Sequence, residues 1–287
     1  MILKYEVDKI FNNIKEILKV HFEISDRLLL KLKRNNRIKL NGKVSNVRDI
    51  ANIGDIIEID LDFDEDNSNI VPTKMNLDIL YEDDSILILN KPPFTPIHPS
   101  CDHYEDSLSN GVRYYFDHIG LKRKIRPVNR LDKDTSGIVI FAKNDYSQEC
   151  LVRQMKQNIF KKYYFAIVTG DMSALSEGTI DAPIARKENS IIERCVDFDN
   201  GDRAVTHYKF IKKIEPNSSL IECKLETGRT HQIRVHLAYI GFPIVGDTLY
   251  GTKSEFINRQ ALHAYKVEFN NPITKKHQEI ISWNGSF

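Results

Sequence analysis

The chain has 287 residues, a net charge of +1, and hydrophobic and charged fractions of 41% and 28%, values typical of a soluble globular protein. This length predicts two domains of unequal size. There is no run of about 18 apolar residues, and the first residues lack the layout of a signal peptide, so we expect no membrane span and a cytoplasmic location.

The four cysteines are scattered along the chain, at Cys101, Cys150, Cys195 and Cys223. A structural metal site would need a Cys-x-x-Cys pair or a Cys/His cluster, and neither is present. The sequence therefore predicts free thiols in a reducing compartment and no metal site.

Residues 15–48 are strongly basic. They contain ten Lys or Arg residues against three acids, and residues 55–66 that follow are acidic. A basic module joined to a neutral body through an acidic linker is a layout that favours RNA binding, although charge runs are also common on solvated faces. The basic side chains that we expect to contact RNA here are Arg27, Lys31, Arg34 and Lys43.

This first module is predicted to contain two helices followed by strands. Ser25 is a candidate N-cap for a helix whose apolar residues have helical spacing. Residues 37–40 alternate like a strand, Asn41-Gly42 is a strong two-residue hairpin turn, and residues 54–61 form a turn that leads into another strand.

Three short motifs occur within this module. They are Ser25-Asp26-Arg27-Leu28 with the basic helix after it, Lys39-Leu40-Asn41-Gly42-Lys43, and Gly54-Asp55-Ile56-Ile57. Together they resemble the S-four-like RNA-binding domain, named after a small-subunit ribosomal protein. The resemblance implies an RNA-binding domain over residues 1–70, including the start of a linker at 62–75, and a second domain over residues 71–287. The alternative is a small α+β domain without a ligand.

In the second module strands outnumber helices. Residues 79–90 are predicted to form a hairpin around an acidic turn. Further strands are predicted at residues 138–142, 163–168, 205–211, 220–225 and 266–270, and helices near residues 106–117, 146–156 and 229–240. Because the strands abut one another, the expected fold is α+β, with a mixed, largely antiparallel sheet and flanking helices behind the small α+β domain.

The most informative stretch is the polar loop within residues 126–140, which leads into an apolar strand. Turns favour Asp, Ser and Gly, but they do not require Arg130-Leu131-Asp132, a second acid at Asp134, and then Thr135-Ser136-Gly137. A carboxylate between an Arg and a Lys, on a loop that enters a rigid strand, is a suitable place for an ionised catalytic acid.

Other motifs accompany this loop in a fixed order. They are Asn90-Lys91-Pro92-Pro93, His98-Pro99-Ser100, and the stretches at 162–170, 227–236, 246–251 and 259–264. Over about residues 77–283 they resemble the RluA-type pseudouridine synthases, whose signature loop reads H-R-L-D-x-x-T-S-G. Asn129 stands where that family usually has His, and Phe94 and Thr95 interrupt a segment that usually carries a glycine.

The resemblance implies an RNA pseudouridine synthase, an isomerase that breaks the C–N glycosidic bond of specific uridines and joins the same ribose to a carbon of the uracil. Asp132 matches the family's catalytic aspartate, Arg234 the arginine that pairs with it, and Tyr164 the active-site tyrosine. The reaction needs no redox step, nucleotide or metal, so no cofactor is expected. A covalent acyl–sugar intermediate and an elimination route through a glycal both remain open.

The same resemblance implies a set of RNA-contacting residues. Arg130 matches an arginine that fills the gap left when the target nucleotide is flipped out of its stack. Arg229, Thr230, His231 and Gln232 are expected to shape the pocket. For His231 and His236 we favour structural hydrogen bonding over acid–base roles.

The substrate and two competing functions stay open at this point. The S-four-like domain fits the family branch that acts on large-subunit ribosomal RNA, transfer RNA is an alternative, and a monomer is expected. A non-catalytic RNA-binding or ribosome-assembly factor would have the same fold, but the intact Asp132, Tyr164 and Arg234 argue against it. A hydrolase that uses Asp132 and Asp134 as a carboxylate pair would need further residues that tune their pKa values, and no such cluster is evident.

Overall fold

The computed structural model of the protein describes residues 1–214, 216–283, 285 and 287. Its first region lies within residues 2–60. The helices and strands there are β1 (Ile2–Glu6), α1 (Ile14–Val20), α2 (Asp26–Arg34), β2 (Ile38–Leu40), β3 (Lys43–Val44) and β4 (Ile56–Asp60). The four strands form an antiparallel sheet in the order β1-β4-β2-β3.

Two sequence signals in this region produce the predicted local structure. Ser25 caps α2, since its side chain accepts a hydrogen bond from the backbone N–H of Leu28 at 3.1 Å. Asn41 and Gly42, with φ of 49° and 79°, make the turn between β2 and β3, because such a hairpin needs positive φ at both residues. The predicted order of elements is wrong at its start, where β1 precedes the helices. Only Leu3 of this edge strand is buried, so the strand has no clear apolar alternation to detect.

The second region spans residues 79–281. Its helices and strands are β5 (Ile79–Glu82), β6 (Ile86–Lys91), α3 (Leu108–His118), β7 (Arg126–Pro127), β8 (Ser136–Ala142), α4 (Asp145–Lys156), β9 (Lys161–Thr169), β10 (Glu177–Asp181), β11 (Ile184–Arg186), β12 (Arg194–Val196), β13 (Val205–Ile214), β14 (Ser218–Leu225), α5 (Gln232–Tyr239), β15 (Leu262–Asn270) and β16 (His277–Ile281). Eight strands run in the order β10-β13-β14-β9-β15-β8-β6-β5, with β16 beside β15 and β7 beside β8. Within the described residues β8 and β15 pair in parallel, and the other neighbours are antiparallel. The predicted α+β fold with a largely antiparallel sheet is confirmed.

Strands β6 and β8 are buried on both faces. Ile88 shares a hydrophobic cluster with Leu151 of α4, whereas its neighbour Leu87 shares one with Val112 of α3. A strand covered on both faces needs no polar side, which explains the continuous apolar runs in these two strands. The two helices therefore hold β8 rigidly, and the loop that precedes β8 is attached to a fixed strand.

Residues 62–75, the predicted linker, contain no helix or strand although the structure describes all of them. They are nevertheless fastened to both regions. Phe63 belongs to the hydrophobic core of the first region, and that core also includes Tyr146 and Cys150 of α4. The first region thus packs directly on a helix of the second.

Beside this shared core, four charged side chains form a network that we call the seam: Lys31, Glu65, Arg126 and Asp145. Glu65 accepts hydrogen bonds from Lys31 at 2.6 Å and from Arg126 at 2.7 Å, and Asp145 accepts from the same two cations at 2.5 and 2.6 Å. Burial opposes the charge of both acids, but the two cations outweigh it and lower the pKa of Glu65 and of Asp145. Each charge in the seam is therefore compensated from within the protein.

Candidate active site

Asp132 lies on the loop of residues 128–135, between β7 and the buried strand β8. The side chain of Asn129 ties this loop to β8. Its Nδ2 donates to the carbonyl of Ile138 and its Oδ1 accepts from the backbone N–H of Ile140, both at 2.9 Å. An amide supplies one donor and one acceptor for two backbone groups, so the Asn that replaces the usual His serves as an anchor of the loop.

Lys91, at the end of β6, fixes the loop from the other side. Its side chain is fully buried, and Nζ donates to the carbonyls of Pro92, Thr95 and Lys133 at 2.9, 2.8 and 2.8 Å. Burial lowers the pKa of Lys91 to about 7. Because Lys133 follows Asp132 directly, this contact fixes the backbone next to the predicted nucleophile.

Gly137 allows β8 to approach β15 closely. Its φ is 116°, and a Cβ there would lie 2.3 Å from the carbonyl oxygen of Ala264. A side chain is therefore excluded on both conformational and steric grounds. The glycine of the Thr-Ser-Gly motif is thus a requirement of the sheet that supports the loop.

Arg234, on α5, orients the Asp132 carboxylate. Its Nη1 donates to Oδ2 of Asp132 at 3.1 Å, while Nε and Nη2 donate to the two carboxylate oxygens of Asp247 at 2.6 and 2.9 Å. The Asp247 side chain is 0% exposed and that of Asp132 is 28% exposed. Burial opposes the charge on Arg234, but Asp247 and then Asp132 outweigh it and raise its pKa. The buried pair fixes the guanidinium plane and leaves Nη1 for the acid that faces the cavity.

Tyr164 enters the site from β9. It is 5% exposed and packs in a cluster with Ile233 of α5. The preceding Tyr163 lies on the other face of the strand, where the ammonium of Lys266 is 4.1 Å from its ring, as strand alternation requires. Burial, and then the charge of Asp132, raises the pKa of Tyr164, so its phenol remains protonated.

His231, immediately before α5, lies close to the same carboxylate. Its Nε2 is 3.9 Å from Oδ2 of Asp132, its Nδ1 lies 2.8 Å from the Tyr250 hydroxyl, and its φ of 58° is in the left-handed region. Burial lowers the pKa of His231 although Asp132 opposes this effect. His236 instead bonds Thr206 and the carbonyl of Ala182 and is fully buried, an arrangement that serves packing.

A cavity of about 500 Å³ joins these side chains. Eight of the residues predicted from the sequence line it: Arg130, Asp132, Tyr164, Arg229, Thr230, His231, Gln232 and Arg234. Asp134 does not, and its main-chain carbonyl instead accepts from Arg259. The cavity therefore presents the Asp132 carboxylate, held by a guanidinium and flanked by a protonated phenol. Glu226 also lines the cavity, but its carboxylate pairs with His207 at 2.7 Å.

The similarity to known proteins shows which family this chain belongs to. The family model for RNA pseudouridylate synthases matches residues 85–239. Over 258 residues, which are 90% of each protein, the chain is 38% identical to YjbO of Bacillus subtilis (strain 168), described as an uncharacterized RNA pseudouridine synthase. The chain belongs to the RNA pseudouridylate synthase family.

Two further relatives agree with this membership. The chain is 35% identical to the ribosomal large subunit pseudouridine synthase D of Buchnera aphidicola subsp. Schizaphis graminum, over 88% of this chain and 82% of that protein. Among solved structures, human RNA pseudouridylate synthase domain containing 1 superposes with a TM-score of 0.61 at 27% identity, covering 73% of this chain and 84% of that one. The predicted function class, an isomerase that forms pseudouridine in RNA, is confirmed.

In this pseudouridine synthase, the predicted RNA-contacting residues differ in their exposure and in their bonds to other residues of the protein. Arg130 is exposed at the cavity. Arg229 is held by the carbonyl of Arg203 and by Asp202. Gln232 is buried and bonds the Thr227 hydroxyl, so it stabilises the loop before α5.

The four basic residues predicted in the first region do not line the cavity. Arg27, Arg34 and Lys43 are exposed. Lys31 points instead into the seam and pairs with two carboxylates. Its ammonium is engaged within the protein, which makes it a weaker candidate for RNA contact than its neighbours.

Asp247 and Tyr250 belong to the site, although the sequence analysis did not single them out. Both lie in the stretch 246–251, which was quoted as part of the family resemblance. Their signal was that motif, but nothing in it indicates that Asp247 would be buried against Arg234. A contact between positions 13 residues apart on different elements is decided only by the packing of α5.

The described residues contain no metal-binding group, no disulfide and no helix that could span a membrane. Residues 1–214, 216–283, 285 and 287 contain no group of three or more His, Cys, Asp or Glu that could hold a metal ion. Within the same ranges the four cysteines are free. No helix in this part of the chain has the length and apolar character needed to cross a membrane.

Proposed function

We propose that this pseudouridine synthase modifies large-subunit ribosomal RNA in the cytoplasm, with Asp132 as the nucleophile and without a cofactor. The observation that carries the catalytic assignment is the 3.1 Å contact that orients Asp132 toward a cavity it shares with Tyr164. The ribosomal substrate is supported by the similarity to the large-subunit synthase of Buchnera aphidicola.

The carboxylate of Asp132 starts the isomerisation. In one route it adds to C1′ of the ribose while the C–N bond breaks and the uracil leaves as an anion. In the other it removes the proton from C2′ and a glycal forms. In both, the uracil turns and its C5 bonds to C1′. On the first route this displaces the Asp132 carboxylate as its bond to C1′ breaks, and on the second Asp132 returns the proton to C2′. The proton on C5 is then lost to a base and N1 gains a proton, so the product is an isomer of the substrate.

Arg234, Asp247 and Tyr164 support this acid in different ways. Arg234 holds the carboxylate in one orientation, and Asp247 fixes Arg234. Tyr164, with its raised pKa, presents a ring that stacks on the uracil and a protonated hydroxyl that can donate a hydrogen bond to it. Asp247 is thus a positioning residue, whereas Tyr164 contacts the base.

The RNA is handled at two places. At the cavity, the exposed Arg130 takes the space that the target nucleotide leaves when it is extruded. In the first region, residues 1–70 act as an RNA-binding domain through Arg27, Arg34 and Lys43, which are exposed. The three proposed catalytic side chains line the same cavity of this chain, and we propose that the enzyme acts as a monomer.

Pseudouridine formation on unmodified total RNA tests this proposal. Sites are mapped by carbodiimide-dependent stops in reverse transcription, with the wild type beside Asp132→Asn. We expect stops in large-subunit ribosomal RNA with the wild type alone, and a normally folded variant that gives none. Turnover by Asp132→Asn would refute the nucleophile, and stops confined to transfer RNA would refute the ribosomal substrate.

A further inference from the structure

Lys162 lies on the same face of β9 as Tyr164, two residues before it. Both side chains line the cavity, and positions i and i+2 of a strand are about 6.5 Å apart. The sequence analysis assigned no role to this lysine. Its position places a cation beside the residue that we propose to stack on the uracil.

No side chain among the described residues compensates this cation, since none forms a hydrogen bond or ion pair with the Lys162 ammonium. Other enclosed lysines of the protein are satisfied internally. Lys91 donates to three carbonyls, and Lys143 pairs with Glu82 at 2.7 Å. Desolvation lowers the pKa of Lys162 to about 8, with no carboxylate opposing it. Lys162 is half-buried, and a cation partly removed from water without a counter-charge destabilises the free enzyme. An anion that arrives from outside would offset this cost.

Gly228 lies next to the Lys162 ammonium. A Cβ at this position would lie 3.2 Å from Nζ of Lys162. That distance is tighter than ordinary van der Waals contact, so the ammonium would have to shift slightly if this residue had a side chain. Gly228 itself is exposed, so the ammonium lies beside the exposed loop that precedes α5.

We propose that Lys162 binds a backbone phosphate of the RNA strand at the target uridine. This rests on the proposed function, because it takes RNA as the ligand of the cavity. Uracil and ribose are neutral until the glycosidic bond breaks, so in the bound substrate the phosphates are the groups that can neutralise the lysine. A nucleotide extruded into the cavity carries its phosphate a short distance from its base, as Lys162 is a short distance from Tyr164.

The test compares Lys162→Met, Lys162→Arg and the matched control Lys224→Met. Lys224 lies on the neighbouring strand β14 beside Tyr163, 5.8 Å from its ring on the other face of the sheet. The measurement is kcat/KM for pseudouridine formation on unmodified large-subunit ribosomal RNA transcribed in vitro, over a series of KCl concentrations. Binding of single-stranded oligouridine over the same series is measured in parallel.

We expect Lys162→Met to lower kcat/KM about tenfold and to reduce the salt slope of oligouridine binding by about 0.7, the value for one phosphate contact on a single strand. Lys162→Arg should restore most of both, and Lys224→Met should change neither. The melting temperature of Lys162→Met should equal or exceed that of the wild type, because the uncompensated cation is gone.

Three results would overturn the proposal. One is an unchanged salt slope with reduced kcat, which would mean that Lys162 acts on the uracil during the reaction and does not bind a phosphate. Another is a large loss of melting temperature that arginine does not rescue, which would make the lysine structural. The third is equal behaviour of the Lys162 and Lys224 variants. If the wild type forms no pseudouridine in the ribosomal RNA, that substrate fails, but the oligouridine slope still decides the role of Lys162.

Discussion

The seam and the cavity both collect charged side chains, and they treat them in opposite ways. In the seam, two cations and two carboxylates satisfy one another completely, with Arg126 and Glu65 only 7% and 8% exposed. In the cavity, Asp132 receives one N–H of Arg234 and is 28% exposed, while Lys162 has no partner among the described residues. Buried charge that is compensated fixes structure, whereas charge left open at a cavity is available to a substrate.

Arg234 lies on the border between these two cases, and this is where the largest effect is expected. Arg234→Ala leaves the fully buried Asp247 without its cation, which should cost about 3–5 kcal/mol of folding free energy in addition to most of the activity. The double variant Arg234→Met with Asp247→Asn should regain most of the stability, since no buried charge remains, but not the activity. Denaturant unfolding and pseudouridine formation measured on all three proteins separate the two roles. If the double variant is as unstable as Arg234→Ala, the ion pair is not the source of the loss.

The seam should respond in stability alone. Arg126→Met removes one of its two cations and should cost about 2–4 kcal/mol, with pseudouridine formation per folded molecule unchanged. Lys4→Met, which breaks the exposed pair with Glu58, should cost less than about 1 kcal/mol and serves as the control. Because the pKa values of Glu65 and Asp145 are lowered in the folded protein, the contribution of the seam is present above the unfolded pKa of about 4 and is lost as the pH falls below it. A difference between wild type and Arg126→Met that persists undiminished at acid pH would contradict this account.

The smallest effect on stability is expected on the surface of α2. Compensated and uncompensated cations can be compared there within one helix. Arg27→Ala and Arg34→Ala should each lower the salt slope of RNA binding by about 0.7–0.9 and change stability by less than about 0.5 kcal/mol. Lys31→Met, on the same helix, should do the reverse, because its ammonium is bound within the seam. Salt titrations of RNA binding and thermal unfolding of the three variants provide the test. If the salt slopes of the Arg27 and Arg34 variants equal that of the wild type, the first region does not hold RNA through this helix.

The sequence by itself determined the local structure and the chemistry of individual residues. The cap at Ser25 and the turn at Asn41-Gly42 follow from backbone preferences within a few residues, and the structure has both. The alternation of β9 separates Tyr163 from Tyr164 for the same reason. The ordered motifs identified the family and indicated Asp132, Tyr164 and Arg234 without any knowledge of their contacts.

Only the tertiary structure decided which charges meet. Lys31 and Arg34 lie in one helix and have the same local signal, yet one is compensated by Glu65 and Asp145 and the other is exposed. Likewise, Asp247 becomes the partner of Arg234 because α5 and the loop after it pack together, whereas Lys162 is brought next to Gly228 and not to a carboxylate. Periodicity and capping act between near neighbours in the chain, whereas the compensation of a buried charge depends on residues brought together by packing, and one sequence carries no local mark of that.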